Sequence, residues 1–258
     1  MKQEELFSHT FKALRQELGL KPLDNRDIVE QMQSSRSMFC QSLVTNGYLS
    51  PEQMLNAVER YHLGITRDGG VVFWQTDRQQ VVRDGKIMFY RPDCHRDHSR
   101  HPSWASARLK QQELLPPEFT PQHCLFGLHL LPSSDGHAVA VVESEKTAVI
   151  MSEVFPEYVW MACGGLATLS AALLHPLQGC KVVLFPDTDP EGHAFRRWCE
   201  VAETASGAIG QPFYVSPLLE RQATADQKER KIDLVDYLFE GGGLKPPNAS
   251  FEASKRPV

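Results

Sequence analysis

The sequence has no CxxC pair, and its six cysteines, Cys40, Cys94, Cys124, Cys163, Cys180 and Cys199, stand alone along 258 residues. Such spacing gives neither a disulfide framework nor a paired-cysteine metal knuckle, and a chain this long buries enough core to need neither. No apolar run approaches the ~20 residues that span a bilayer. The opening MKQEELFSHT lacks the apolar segment of a secretory signal. Reduced thiols, a cytoplasmic location and no membrane partner are therefore expected. There is no internal repeat, no low-complexity stretch, no Walker A phosphate loop and no Ser/His/Asp arrangement.

Net charge is only −5, a weak argument against a nucleic-acid binder, but the charges are segregated. Residues 60–110 hold ten Lys/Arg against five Asp, and residues 138–240 hold eight Lys/Arg against fifteen Asp/Glu. A basic half joined to an acidic half suits a protein that grips phosphates with one part and cations with the other.

Along the chain, residues 1–20 read as a helix and 25–32 as a second, short one. In residues 50–63 Ser50 can cap, Pro51 suits a first turn, Met54, Leu55, Val58 and Tyr61 form an apolar stripe, and Gly64 is a stop signal. GITRDGGVVFWQT reads as a turn and a strand. QQVVRDGKIMFYRP reads as a hairpin turning near Asp84-Gly85. Residues 91–103 are polar loop. Beyond the break at 132–136, strands at 138–143, 158–163, 181–187 and 212–217 alternate with helices at 146–154, 166–174, 191–206 and 233–241. Continuous apolar strands alternating with helices predict a parallel sheet covered on both faces.

In an open parallel sheet functional groups collect at the carboxyl ends of the strands. Here the first strand ends in Glu143, the second in Gly164-Gly165, and the third in Asp187-Thr188-Asp189. Carboxylate oxygens are hard ligands that favour Mg²⁺ or Mn²⁺. Asp187 and Asp189, two apart in an irregular segment, are expected to face one ion. Lys146, in the first turn of the next helix, is a candidate for a nucleotide phosphate. The two glycines are expected to turn the backbone tightly at the rim.

VVESEKTA…ACGG…LFPDTDPEG resembles the Toprim signature shared by bacterial-type primases, topoisomerases, recombination-mediator proteins and some nucleases. The resemblance implies metal or acid/base roles for Glu143, Asp187 and Asp189. It also makes Asp233 in KIDLVDYL a further metal ligand, with Asp236 behind it. Upstream, YHLGITRDGGVVFWQTD…VRDGKIMFY…WASARLK is similar to the basic subdomain that precedes Toprim in bacterial primases, where a track holds template DNA. Lys86, Arg91, Arg108 and Lys110 are the matching positions. The likeness covers residues 58–240 and is nearest to primase-like Toprim proteins of mobile elements. A primase zinc ribbon is missing: residues 1–57 hold one cysteine. Cys94, His95, His98 and His101 are zinc's ligand types at a spacing that matches no site of that kind. No helicase-binding region follows and no topoisomerase tyrosine motif occurs.

The expected architecture is α/β: a Toprim domain over 133–241 with a four-stranded parallel sheet flanked by helices, a smaller basic α+β subdomain over 63–132, an N-terminal helical segment over 1–62 and a flexible tail over 242–258. The expected activity is that of a primase-like, Mg²⁺-dependent nucleotidyltransferase on single-stranded DNA, using nucleoside triphosphates, with a replicative helicase or mobilisation proteins as further partners. A non-catalytic nucleotide- or DNA-binding Toprim accessory protein and a Toprim nuclease are the alternatives.

Overall fold

The computed structural model describes residues 32–113, 115–133 and 136–243, together with Val29. The helix expected over 1–20, most of that over 25–32 and the tail past Gly243 lie outside the described residues. The chain divides into two compact units between Cys124 and Leu125. Among the described residues no helix is long and apolar enough to cross a membrane.

The first unit pairs helices with an antiparallel sheet. Helix α1 (Met38–Thr45) starts at Ser37, whose hydroxyl accepts the Cys40 N–H. Helix α2 (Pro51–Tyr61) starts with a reciprocal cap: Ser50 Oγ accepts the Gln53 N–H and Gln53 Oε1 accepts the Ser50 N–H. A cap of this kind stabilises a helix by about 1 kcal/mol. The buried stripe of α2 is Met54, Ala57, Val58 and Tyr61, and Leu55 is 59% exposed. At 100° per residue Leu55 lies off the line that joins 54, 58 and 61, and Ala57 takes its place. His62, at φ 51, ends the helix two residues before the expected Gly64.

Strands β1 (Gly64–Ile65), β2 (Val71–Thr76), β3 (Val82–Met88) and β4 (Ser103–Trp104) follow in that order across the sheet, each pair antiparallel. The hairpin between β2 and β3 does not turn at Asp84-Gly85. It turns at Asp77–Gln80, where Asp77 Oδ1 accepts the N–H groups of Gln79 and Val81. Asp84 and Gly85 lie inside β3, opposite Gln75 and Trp74. A Cβ at Gly85 would fall 2.6 Å from the Trp74 ring, so glycine is what lets the indole lie against the strand. Asp84 is fully buried and fastens helix α3 (Ala105–Gln111): its Oδ1 accepts the Ser106 N–H and its Oδ2 the Ser106 hydroxyl at 2.6 Å. Val72, Trp74, Val82, Ile87, Phe89 and Leu109 form the core beneath.

The second unit is the predicted parallel layer. After a 3₁₀ turn at Leu128–Ser133 come β5 (Ala138–Val142), α4 (Glu145–Val154), β6 (Tyr158–Ala162), α5 (Ala171–Leu174), β7 (Val182–Phe185), α6 (His193–Ile209), β8 (Tyr214–Val215), α7 (Leu218–Gln222), α8 (Ala225–Glu229) and α9 (Leu234–Phe239). The sheet order is β6-β5-β7-β8, every pair parallel. Every residue of β5, β6 and β7 is buried, as a sheet flanked by helices requires. Trp160 and Trp198 are fully buried in this core, where a large apolar side chain contributes roughly 1.5–3 kcal/mol. The helix expected over 166–174 is cut to α5, because Ser170 Oγ caps it by accepting the Leu173 N–H and the preceding residues form turns.

Candidate metal and nucleotide site

Strand register sets the site. Val142 pairs with Ala162 on one side and Phe185 on the other, so β5, β6 and β7 end at one level. Glu143 leaves the first, Cys163-Gly164 the second and Pro186-Asp187 the third. Gly164 N–H donates to the Glu143 carbonyl at 2.9 Å. Gly164 and Gly165 have φ of 88 and 155, backbone that a side chain would strain.

A fourth segment joins them. Thr188 N–H donates to the Ile232 carbonyl at 3.1 Å, which lays residues 232–236 alongside Asp187. Asp233 caps α9: its Oδ1 accepts the Asp236 N–H at 2.9 Å. Its Oδ2 accepts the Thr147 hydroxyl at 2.7 Å and has Lys146 Nζ at 3.5 Å. Asp187 is half-buried on the rim. Burial first, and then the carboxylates of Asp233, Glu143 and Asp236, hold it well above the usual carboxylate range, against the pull of Lys146. Asp236 is raised for the same reasons, by burial and then Asp233, with Lys146 opposing.

Asp189 does something else. Its Oδ1 accepts the N–H groups of Glu191 and His193, and its Oδ2 accepts that of Ala194 at 2.7 Å. Burial raises its pKa, but the N–H groups of Ala194, His193 and Glu191 together bring it below the ordinary value. Asp189 thus anchors the loop that opens α6. The partner the structure gives Asp187 is Asp233, from 46 residues further along the chain. Among the described residues no three His, Cys, Asp or Glu side chains are drawn close enough to hold a metal ion. Burial and the neighbouring carboxylates favour the neutral form of Asp187, with Lys146 opposing. An all-oxygen donor set on a solvent-reached rim fits a hard divalent cation that would draw them in.

Cys163 stands at the same rim but is no nucleophile: burial pushes its thiol up to about 12. Thr147 was not singled out by sequence, although its place four residues after Glu143 and one turn into α4 marks the rim-facing side.

In the first unit the aspartates engage the basic residues. Arg108 Nη1 lies 3.0 Å from Asp68 Oδ1 and its Nε donates to Ser103 Oγ. Arg91 Nη2 lies 2.8 Å from Asp93 Oδ2 on an exposed loop. Lys110 Nζ donates to the Pro117 carbonyl at 2.8 Å. Lys86 lies in β3, opposite Phe73 and Trp104. Arg100, which sequence did not single out, shares Asp68 with Arg108 and lies 3.4 Å from the centre of the Phe89 ring. Arg100, Arg108, Phe89, Ser103, Gln111 and Gln112 line a cleft of about 590 Å³ that Lys86, Arg91 and Lys110 do not reach. Of the interleaved aromatics, Trp74 and Phe89 are core, as their strand pattern implies. The Cys94 to His101 loop gathers no metal site: Cys94 is buried, while His95 is exposed beside Asp93.

A family model described as a domain of unknown function, DUF6371, matches residues 37–188. The chain belongs to the DUF6371 family. The match runs through the antiparallel sheet and the first three parallel strands, and so includes Glu143 and Asp187. No curated protein matches this DUF6371 chain by sequence. Among solved structures it is similar to the DnaG catalytic core, at 15% identity and TM-score 0.55, over 88% of this chain and 76% of that one. It is also similar to the DnaG primase catalytic domain bound to ssDNA, at 14% identity and TM-score 0.54, over 88% and 75%. A third is the RNA polymerase domain of Mycobacterium tuberculosis primase DnaG, at 13% and 0.52, over 85% and 78%. The DUF6371 chain thus has the fold of a primase catalytic core, with the Toprim layer predicted from its sequence.

Proposed function

We propose that this chain is a primase-like nucleotidyltransferase that uses Mg²⁺ or Mn²⁺ and nucleoside triphosphates on single-stranded DNA. The observation that carries the reading is the convergence of Glu143, Asp187, Asp233 and Asp236 on one strand-end rim, where burial and then the other acids raise Asp187 above the usual carboxylate range. Stability alone gives no reason to gather like charges this way, and such groups cluster at functional sites. Glu143, Asp187 and Asp233 would hold the metal, with Asp236 behind them, and Asp189 positions the loop. When bound, the metal neutralises charge on the transferred phosphoryl and aligns the attacking oxygen. Glu143 would take the proton of the attacking 3′-hydroxyl as its oxygen bonds to the α-phosphorus of the triphosphate and pyrophosphate leaves. Lys146 and the Gly164-Gly165 turn meet the nucleotide phosphates.

Lys86, Arg91, Arg108 and Lys110, joined by Arg100, form the grip on the template backbone. The ion pairs of Arg91, Arg100 and Arg108 are worth about 0–1 kcal/mol each, so a DNA phosphate can replace the aspartate there. A replicative helicase or mobilisation proteins fit as partners of such an enzyme on a mobile element. The commitment of Asp189 to backbone N–H groups favours a second reading, a nucleotide- or DNA-binding accessory protein without catalysis. Incubation with labelled nucleoside triphosphates and single-stranded templates, with and without Mg²⁺ or Mn²⁺, separates the readings. Metal-dependent oligoribonucleotides support the polymerase, shortened template means a nuclease, and binding without products means the accessory protein.

A further inference from the structure

We infer that the Lys146 ammonium is the resident counter-ion of the acid cluster, and that a divalent cation takes its place and frees it for the substrate phosphates. This deepens the metal site proposed above and rests on it. Ser144 Oγ accepts the Thr147 N–H at 3.2 Å and so fixes the first turn of α4. That turn presents Thr147 and Lys146 to the same oxygen, Asp233 Oδ2, at 2.7 and 3.5 Å. The hydroxyl makes a full hydrogen bond. The ammonium stands beyond the 2.7–2.9 Å of a tight charge-assisted contact with that oxygen. Its side chain is only 20% exposed, and it is the positive charge that acts on both Asp187 and Asp236.

A lysine is suited to this exchange. Its charge is compact and strongly hydrated, and its four-carbon stem can swing without disturbing the helix that carries it. A divalent cation drawn to Glu143, Asp187 and Asp233 brings two charges to the space where the ammonium brings one, and the two repel. The expelled ammonium stays tethered one turn from Glu143, where it can meet the phosphates the metal holds.

The test is calorimetric titration of the full chain with Mn²⁺ alone, for wild type, Lys146→Met and Lys146→Arg, alongside thermal melts in a chelator. Lys146→Met should melt lower without metal, bind Mn²⁺ roughly tenfold more tightly than wild type, and regain wild-type melting when Mn²⁺ is added. Lys146→Arg, which keeps the charge, should bind no more tightly than wild type. Equal or weaker Mn²⁺ affinity in Lys146→Met overturns the exchange while leaving the metal site standing. No Mn²⁺ uptake by wild type overturns both. If Lys146→Met does not fold in chelator, it must fold when Mn²⁺ is present, and failure there also overturns the exchange.

Discussion

In the first unit Asp68 is matched to Arg100 and Arg108, Asp77 to Arg83 and Asp93 to Arg91. In the second, Glu143, Asp187, Asp233 and Asp236 stand round one rim with Lys146 among them. The first unit pairs opposite charges, from two residues apart (Arg91 and Asp93) to 40 (Asp68 and Arg108), and its aspartates become structural: Asp68 falls to about 2, burial being outweighed by the hydrogen bonds and charge of Arg108. The second pairs Lys228 with Glu220 and Arg230 with Asp226 and Glu240, but at its rim it leaves like charges facing each other. A formal surplus therefore says less about function than the way it is disposed. Paired charge builds a surface, whereas massed charge needs a ligand.

The sharpest break of that comparison is Glu143→Gln. Nucleotidyl transfer on a primed single-stranded template should fall by at least about a hundredfold with unchanged circular dichroism. Retained transfer would reduce the rim to a structural feature. Next in size is Asp189→Ala, which strips acceptors from three N–H groups and should cost about 1–2 kcal/mol in denaturant unfolding. Asp187→Asn should act in the opposite sense. Asp187 is raised in the folded chain, so its contribution favours folding below the ordinary carboxylate range and is lost as pH rises through the raised value. Without metal the Asn variant should melt above wild type, with a gap that widens as pH rises from the ordinary carboxylate range through the raised value, while its Mn²⁺ affinity collapses. Two aspartates of one D-x-D motif that shift stability the same way would erase the distinction drawn between them. The smallest effect is on the basic unit. Replacing Lys86, Arg91 and Lys110 by alanine should lower the log–log salt slope for an oligonucleotide by about 0.7 per lost phosphate contact, read by fluorescence anisotropy. Arg100→Ala should do the same if the cleft beside Phe89 belongs to the track.

The parallel layer was legible because its strands are unbroken apolar runs, and AVAVV, YVWMA and VVLF admit little else. The acid rim was legible because the order Glu143, Gly164-Gly165, Asp187 falls at consecutive strand ends. Asp84-Gly85 was misread because the dipeptide is a good local turn, whereas the fold uses its two residues for tertiary purposes: room for Trp74 and an anchor for Ser106. The true turn, Asp77–Gln80, has no glycine and places Gln80 at φ 64, held by the Asp77 carboxylate. Asp189 escaped for a related reason. Spacing shows which acids are near in sequence, but not which of them the backbone has already claimed.

The hydrogen bond from Thr147 to Asp233 closes a span of 86 residues. Until that span is synthesised and docked, the sheet can assemble with only Glu143 and Asp187 at its rim, and the repulsion that Asp233 and Asp236 bring is postponed. In chain order, therefore, the segment that completes the acid cluster is made only after all four parallel strands. A ribosome stalled before residue 233 would display the strands without the finished rim.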